Sequence, residues 1–505
     1  MPERFPVGSP HATPELPPDP IRHSLRHGTR VVIAAQLVSQ LVTIGVLAVL
    51  YRRLGPEPYG LLGMVTPLLL LLRIGISGGL DVAAIQHHDL SNQQASVLFW
   101  LNQGLGLAMT LLAIALAPAL AWFYESRQVM SLSVVLSGTS LVVALGMQHQ
   151  ARLQRRLRLG TLAVLRLASQ AVGGTAAIAA ALAGWGVWSL AAQQYAEFGA
   201  LSALAWWAEP WRPQWALRRM GTRPLLRFGG YYALSSVMFY ITANVDKILV
   251  GRMLGPVALG LYSQAFTWMM KPVSVVITPL GGIMLPALSR TAGDPQRYAR
   301  LLLGFFRWIA LAMFPAGIGL MLVAGDAMSV LGGPRWAAAG PLLTVLAAST
   351  LVQGFVNALG SVLASVGRAR RLCAAAAAIA VVMSGAFFLG IQAGRSAGAA
   401  TLGVAAGYSL ALVFCVFPPY LVLCLRTVGV PMSAWLAQLR GAALAAAGMG
   451  LLVAACHALL VGVEPLSALP AVARLVIEIT VGALSYAILA RREIRWFLRA
   501  GRDGR

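Results

Sequence analysis

The sequence predicts an all-α membrane protein of about 14 transmembrane helices, in two parallel six-helix lobes with two further C-terminal helices. Three observations predict it: an apolar composition, a series of helix-length apolar runs, and a stretch that recurs at a fixed offset. Of 505 residues, 58% are hydrophobic and 11% are charged, where a soluble domain carries about 25% charge. Mean hydropathy is +0.74. No soluble core hides that much apolar surface, so the solvent is lipid.

A helix needs about 20 apolar residues to cross the hydrocarbon. Runs of that length begin near Val31, Leu61, Val97, Gln128, Thr161, Trp185 and Gly229, then near Ala258, Leu303, Ala337, Leu372, Gly398, Gly441 and Leu469. Short loops join them, with no soluble domain inserted. Residues 1–28 are polar and rich in proline. They lack the apolar core of a leader peptide and read as a disordered cytoplasmic tail.

The net charge of +23 raises nucleic acid as a partner, and the distribution of the charge removes it. With the N-terminus inside, most Lys and Arg fall on the cytoplasmic side. They lie in the tails, around Arg152–Arg158, Arg212–Arg227, Arg290–Arg300 and Arg368–Arg371, and at Arg426 and Arg440. The outer side receives only Arg52, Arg53, Arg127, Arg252, Arg335 and Arg395. That bias is the rule for membrane proteins and gives an even helix count with both termini cytoplasmic. Two segments, Trp211–Phe228 and Arg491–Arg499, combine Trp with Arg and read as interfacial anchors.

The stretch Tyr51-Arg-Arg-Leu-Gly-Pro-Glu-Pro-Tyr-Gly60 is echoed by Gly251-Arg-Met-Leu-Gly-Pro-Val-Ala-Leu-Gly260. Arg52, Leu54, Gly55, Pro56, Gly60 and Leu61 recur as Arg252, Leu254, Gly255, Pro256, Gly260 and Leu261, all at an offset of 200. Gly-Pro stops one helix and starts the next. Each copy follows a first helix, so the halves are parallel repeats. The expected organisation is a tail (1–28), an N-lobe (29–210), an interfacial linker (211–228), a C-lobe (229–426), two appended helices (427–490) and a basic tail (491–505).

The chain resembles a Wzx-type polysaccharide flippase of the multidrug/oligosaccharidyl-lipid/polysaccharide exporter superfamily. The resemblance runs from about Gly28 to Arg426. It rests on Leu54-Gly-Pro-Glu-Pro-Tyr-Gly60, Gly78-Gly-Leu-Asp-Val-Ala-Ala-Ile-Gln86 and Leu98-Phe-Trp-Leu-Asn102. It rests also on Gly184-Trp-Gly-Val-Trp-Ser-Leu190, Leu254-Gly-Pro-Val-Ala-Leu-Gly-Leu-Tyr262, Leu285-Pro-Ala-Leu-Ser-Arg290 and Gly394-Arg-Ser-Ala-Gly398. The resemblance implies a two-lobed fourteen-helix fold in a bacterial inner membrane. It also implies an undecaprenyl-diphosphate-linked oligosaccharide as cargo, and a glycan polymerase with export machinery as partners. No chemical reaction is implied. The alternative within the superfamily is a cation-coupled multidrug antiporter, which would want an acidic cavity. Here cations in the helices outnumber acids.

A charge inside a membrane helix needs a reason. Arg73 on the second helix and Lys271 on the eighth are separated by 198, close to the repeat offset. Each lobe thus offers a cation to a diphosphate, Arg as a fork and Lys as a point charge, unless either is a structural ion pair. Arg52 and Arg252 either receive the phosphate at the outer mouth or mark the water boundary. Asp246, with Asn244 nearby, is the candidate for coupling to H+ or Na+, or else pairs with a neighbouring helix. Gln36 and Gln40 share a face of the first helix, as Tyr232, Tyr240 and Asn244 do on the seventh. They suit sugar hydroxyls and faces, or hydrogen bonds between helices. Arg166 and Arg307 read as snorkelling cations, Arg474 and Glu478 as an internal i,i+4 pair. Glu197 is an unassigned acid, and Asp81 a polar helix end. His457 stands alone in an apolar run, no metal spacing is present, and Cys373, Cys415, Cys424 and Cys456 read as buried thiols. No cofactor is expected.

Overall fold

The computed structural model describes residues 19–77, 91–215, 244–464, 469–493 and 495. These form helices and short turns. In chain order they are α1 (Asp19–Leu54), α2 (Pro56–Ser77), α3 (Asn92–Tyr124), α4 (Arg127–Arg155), α5 (Leu159–Leu182) and α6 (Trp188–Ala208). Then come α7 (Val245–Thr291), α8 (Pro295–Gly332), α9 (Ala339–Ser365), α10 (Ala369–Ser396), α11 (Ala400–Val428), α12 (Met432–Gly462) and α13 (Ala471–Leu489). Among the described residues 11 helices are long and apolar enough to cross a membrane, or 12 if the bent pair in α7 is one span. This is a multi-pass membrane protein. The expected seventh run starts at Gly229, outside the described residues. The sixth forms as α6 but carries Gln193, Gln194 and Glu197 and is not among the 11. The helix α1 begins at Asp19, so helix extends into the stretch expected to be disordered.

Local chemistry sets the boundaries. Ser91 caps α3 in a reciprocal capping box with Gln94, which satisfies two orphan N–H groups. Asp294 caps α8 through the N–H groups of Gln296 and Arg297 at 3.0 Å, with Pro295 in the first turn. In α11 a π-helical turn, Ala411–Val416, precedes Pro418 and Pro419. These lack the N–H groups an α-helix would need there, and the backbone adjusts.

The recurring Gly-Pro turns behave alike. Gly55 has φ 68° and Gly255 φ 81°, a left-handed region that glycine enters without cost. Each is followed by a proline that starts the next stretch of helix. In α7 this break at Gly255 lies between two helical stretches.

Packing divides into two groups. In the first half α1 packs on α5, α5 on α6, α2 on α3, and α3 and α6 on α4; in the second α7 and α8 pack on α9, and α10 on α11. The helices α12 and α13 pack on each other and on α8. The halves meet chiefly through α2 against α7, with α1 against α8.

Candidate functional site

The halves are clasped at the end that carries the two Gly-Pro turns. A Cβ on Gly60 would lie 1.7 Å from the Pro256 carbonyl oxygen, and one on Gly260 would lie 1.9 Å from that of Pro56. The recurring glycines therefore face each other's recurring prolines, backbone on backbone. Beside them Tyr51 and Trp336 are fully buried, ring centroids 4.3 Å apart. Trp336 Nε1 donates to the Tyr51 carbonyl at 3.0 Å, and the Tyr51 hydroxyl donates to Gln264 Oε1 at 2.7 Å. Tyr59 closes the cluster, 5.2 Å from Tyr51.

Arg52 and Arg252 belong to this clasp. Arg52 Nη2 donates to the Val330 carbonyl at 2.9 Å, and Arg252 Nη2 meets Glu125 Oε1 at 2.7 Å. Both bonds tie one half to the other. Neither guanidinium waits free at a mouth in this conformation.

Lys271 lies sixteen residues past Gly255, roughly 24 Å along the helix. Its ammonium donates to Gln40 Oε1 at 3.4 Å, across the two halves. One side of Lys271 faces an apolar groove of about 380 Å³, walled by Trp268, Pro315, Leu320, Val323, Met449, Val453 and Tyr486. One turn from Gln40 on the same helix, Gln36 lines a second cavity of about 390 Å³ with Ser39, Gln154 and Arg166. So Gln36 and Gln40, chosen for their shared face, each stand beside a cation. Arg166, read as a snorkelling residue, is exposed in a cavity wall.

Arg73 is placed differently. Because α2 starts at Pro56, Arg73 is only four residues from Ser77. Its Nη2 donates to Thr139 Oγ1 at 2.6 Å and its guanidinium lies 4.6 Å from the Phe198 centroid. It is thus held within the first half, with Nε buried and without an acceptor. The two-residue departure from the repeat offset turns a helical side chain by about 200°, so Arg73 and Lys271 occupy unlike surroundings.

Asp246 is 5% exposed; its Oδ2 accepts from the Tyr262 hydroxyl at 3.0 Å, and its Oδ1 has no partner. Asn244 Oδ1 accepts from the Lys247 ammonium at 3.0 Å. Tyr232 and Tyr240, with Asp81, lie outside the described residues. Glu197 faces a small cavity of about 90 Å³ with Thr43, Gln170 and Gln193.

Four expectations differ from the structure. Arg474 and Glu478 do not pair: Arg474 Nη2 lies 3.9 Å from Asp326, and Glu478 Oε1 lies 2.7 Å from His457 Nδ1. His457 is therefore not alone. Arg307 does not snorkel but meets Glu493 at 2.5 Å. Of the cysteines Cys424 is buried, Cys456 is partly so, and Cys373 and Cys415 are exposed.

The comparisons with known proteins fit this frame. The family model described as polysaccharide biosynthesis protein matches residues 49–341, more than half of the chain. The chain belongs to that family. It is 28% identical over 300 residues to the teichuronic acid biosynthesis protein TuaB of Bacillus subtilis, covering 59% of this chain and 62% of TuaB. It is 23% identical over 352 residues to the lipopolysaccharide biosynthesis protein WzxC of Escherichia coli, covering 68% and 71%. The succinoglycan biosynthesis transport protein ExoT of Rhizobium meliloti is 28% identical over 311 residues, covering 61% and 62%. The chain thus spans 62% of the length of TuaB and of ExoT. In fold it is similar to the lipid II flippase MurJ in an inward closed conformation, with a TM-score of 0.70 and 12% identity over 92% of this chain and 99% of MurJ. An inward-facing MATE-family multidrug resistance transporter gives a TM-score of 0.60 and 12% identity over 79% and 99%.

Proposed function

We propose that the chain is a flippase that moves a lipid-linked anionic oligosaccharide, an undecaprenyl diphosphate glycan, across the inner membrane from the cytoplasmic to the periplasmic leaflet. The observation that carries this is Lys271: a cation held by Gln40 of the opposite half, with an apolar groove beside it. A diphosphate seeks the ammonium, amides suit sugar hydroxyls, and a polyprenyl tail suits the groove. The family, and the names of its relatives in polysaccharide and lipopolysaccharide biosynthesis, support the same cargo.

The positive-inside bias assigns the arginine-rich end and both termini to the cytoplasm and the Gly-Pro end to the periplasm. The clasp then closes the periplasmic side. The glycan enters beside Gln36 and Arg166 and reaches Gln40 and Lys271. The halves rock, the clasp parts, and Arg52 and Arg252 leave Val330 and Glu125 to meet the departing diphosphate. Asp246 holds the coupling ion, H+ or Na+, at its free oxygen. A glycan polymerase and export machinery receive the product. The cations beside Gln36 and Gln40 disfavour an antiporter of cationic drugs, despite the shared fold.

The test is export in the source organism with the gene deleted and variants restored. K271Q and the double variant R166Q/K271Q stop surface glycan while membrane levels of the protein persist, and K271R retains part of it. Full export by K271Q sinks the proposal.

A further inference from the structure

Three ligating side chains from three helices converge between α8, α12 and α13, where Glu478 also lines the groove beside Lys271. One atom each of Asp326, His457 and Glu478 lies within 4.8 Å of the others. His457 Nδ1 is 2.7 Å from Glu478 Oε1 and 4.0 Å from Asp326 Oδ2. The Glu478 side chain is 1% exposed, yet its Oε2 is buried with no hydrogen-bond partner, and the same is true of Asp326 Oδ2. Two orphaned carboxylate oxygens beside one imidazole call for an explanation. The nearest cation, Arg474, approaches only to 3.9 Å of Asp326 Oδ1 and leaves its own Nε unpartnered.

We propose that Asp326, His457 and Glu478 form a binding site for a divalent transition-metal ion of the zinc class, at the wall of the groove beside Lys271. One imidazole nitrogen with two carboxylates suits such an ion, whereas Mg2+ and Ca2+ favour oxygen ligands alone. The three residues lie five to seven positions inside the Gly-Pro ends of their helices, roughly 8–11 Å deep. The His457 side chain is 45% exposed, which leaves a side for the ion to enter. His457 would ligate the ion through one bare ring nitrogen, with the N–H of the neutral imidazole on the other. The ion would join α12 and α13 to α8 through ligands rather than through packing alone.

The proposal does not depend on the transport reading, and its test contains no glycan. Full-length protein, purified in detergent with a tag free of histidine, is titrated with Zn2+ alone by calorimetry. One Zn2+ binds per chain and resists a large excess of Mg2+. H457A and E478Q each weaken it more than ten-fold, E57Q leaves it unchanged, and R474Q tightens it by removing the competing cation. X-ray absorption of the Zn2+-loaded wild type shows one imidazole with oxygen ligands at about 2.0–2.1 Å. That spectrum stands as the deciding readout if a variant fails to fold. No stoichiometric Zn2+, a spectrum without imidazole, or H457A binding like the wild type overturns the proposal.

Discussion

At the scale of single residues, the chain spends its buried charge sparingly. Glu209 is 1% exposed between Arg152 at 3.2 Å and Arg156 at 2.9 Å, at the arginine-rich ends of α4 and α6. Its carboxylate needs both cations, and the half-exposed Arg156 needs it less than Arg152 does. Glu209→Gln is expected to weaken the protein by about 1.5–3 kcal/mol, the worth of a charge-assisted hydrogen bond, read as a lower unfolding temperature in detergent. Asp246→Asn is expected to leave unfolding nearly unchanged, since Asn still accepts from Tyr262. It should remove the response of export to an ionophore that collapses the coupling gradient; an unaltered response would take Asp246 out of that role. The candidates themselves were legible because a Lys or Gln in an apolar run stands out at once. Their partners were not. Gln40 and Lys271 meet across 231 positions, and no local spacing announces that. Arg474 and Glu478 have the spacing of an internal pair, yet tertiary neighbours offer each a different partner, Asp326 and His457.

At the scale of elements, glycine spacing decides how closely helices approach. Gly390 and Gly394 on α10 face Gly403 and Gly407 on α11, where a Cβ on Gly390 would lie 2.4 Å from the Gly403 carbonyl oxygen. That is small-xxx-small packing, and it was present in the sequence as two four-residue glycine spacings that the hydropathy reading passed over. The recurring Gly60 and Gly260 were legible as a repeat, but their mutual contact was not, because a turn motif does not say which other turn it will meet. Gly60→Ala and Gly260→Ala place a methyl group on a backbone oxygen, so the clasp cannot form. Spin labels at the exposed Glu57 and Val257 are expected to give a short distance in the wild type and a longer one in either variant. Gly45→Ala, with nothing within 4 Å, should keep the short distance. An unchanged distance in Gly60→Ala would mean that the halves close by another route.

At the scale of the whole molecule, the hydrogen bonds that join the halves among the described residues occur at the Gly-Pro end and at Lys271. Below Lys271, toward the arginine-rich end, Gln36 and Arg166 line an open cavity. Composition made the membrane class legible, and the recurring Gly-Pro stretch made the matching turns at Gly55 and Gly255 legible. The closure of the Gly-Pro end was not, because no local spacing announces that Gly60 meets Pro256 and Gly260 meets Pro56. In the proposed function an anionic, lipid-anchored glycan passes between the halves and is held at Lys271. The most direct measurement reconstitutes the full-length chain in vesicles with a fluorescent polyprenyl diphosphate oligosaccharide and follows its loss from the outer leaflet with a membrane-impermeant quencher. Protein-dependent translocation that K271Q abolishes, while a polyprenol without the diphosphate is ignored, is the predicted result. Translocation at the same rate by K271Q, or none by the wild type, would contradict the claim.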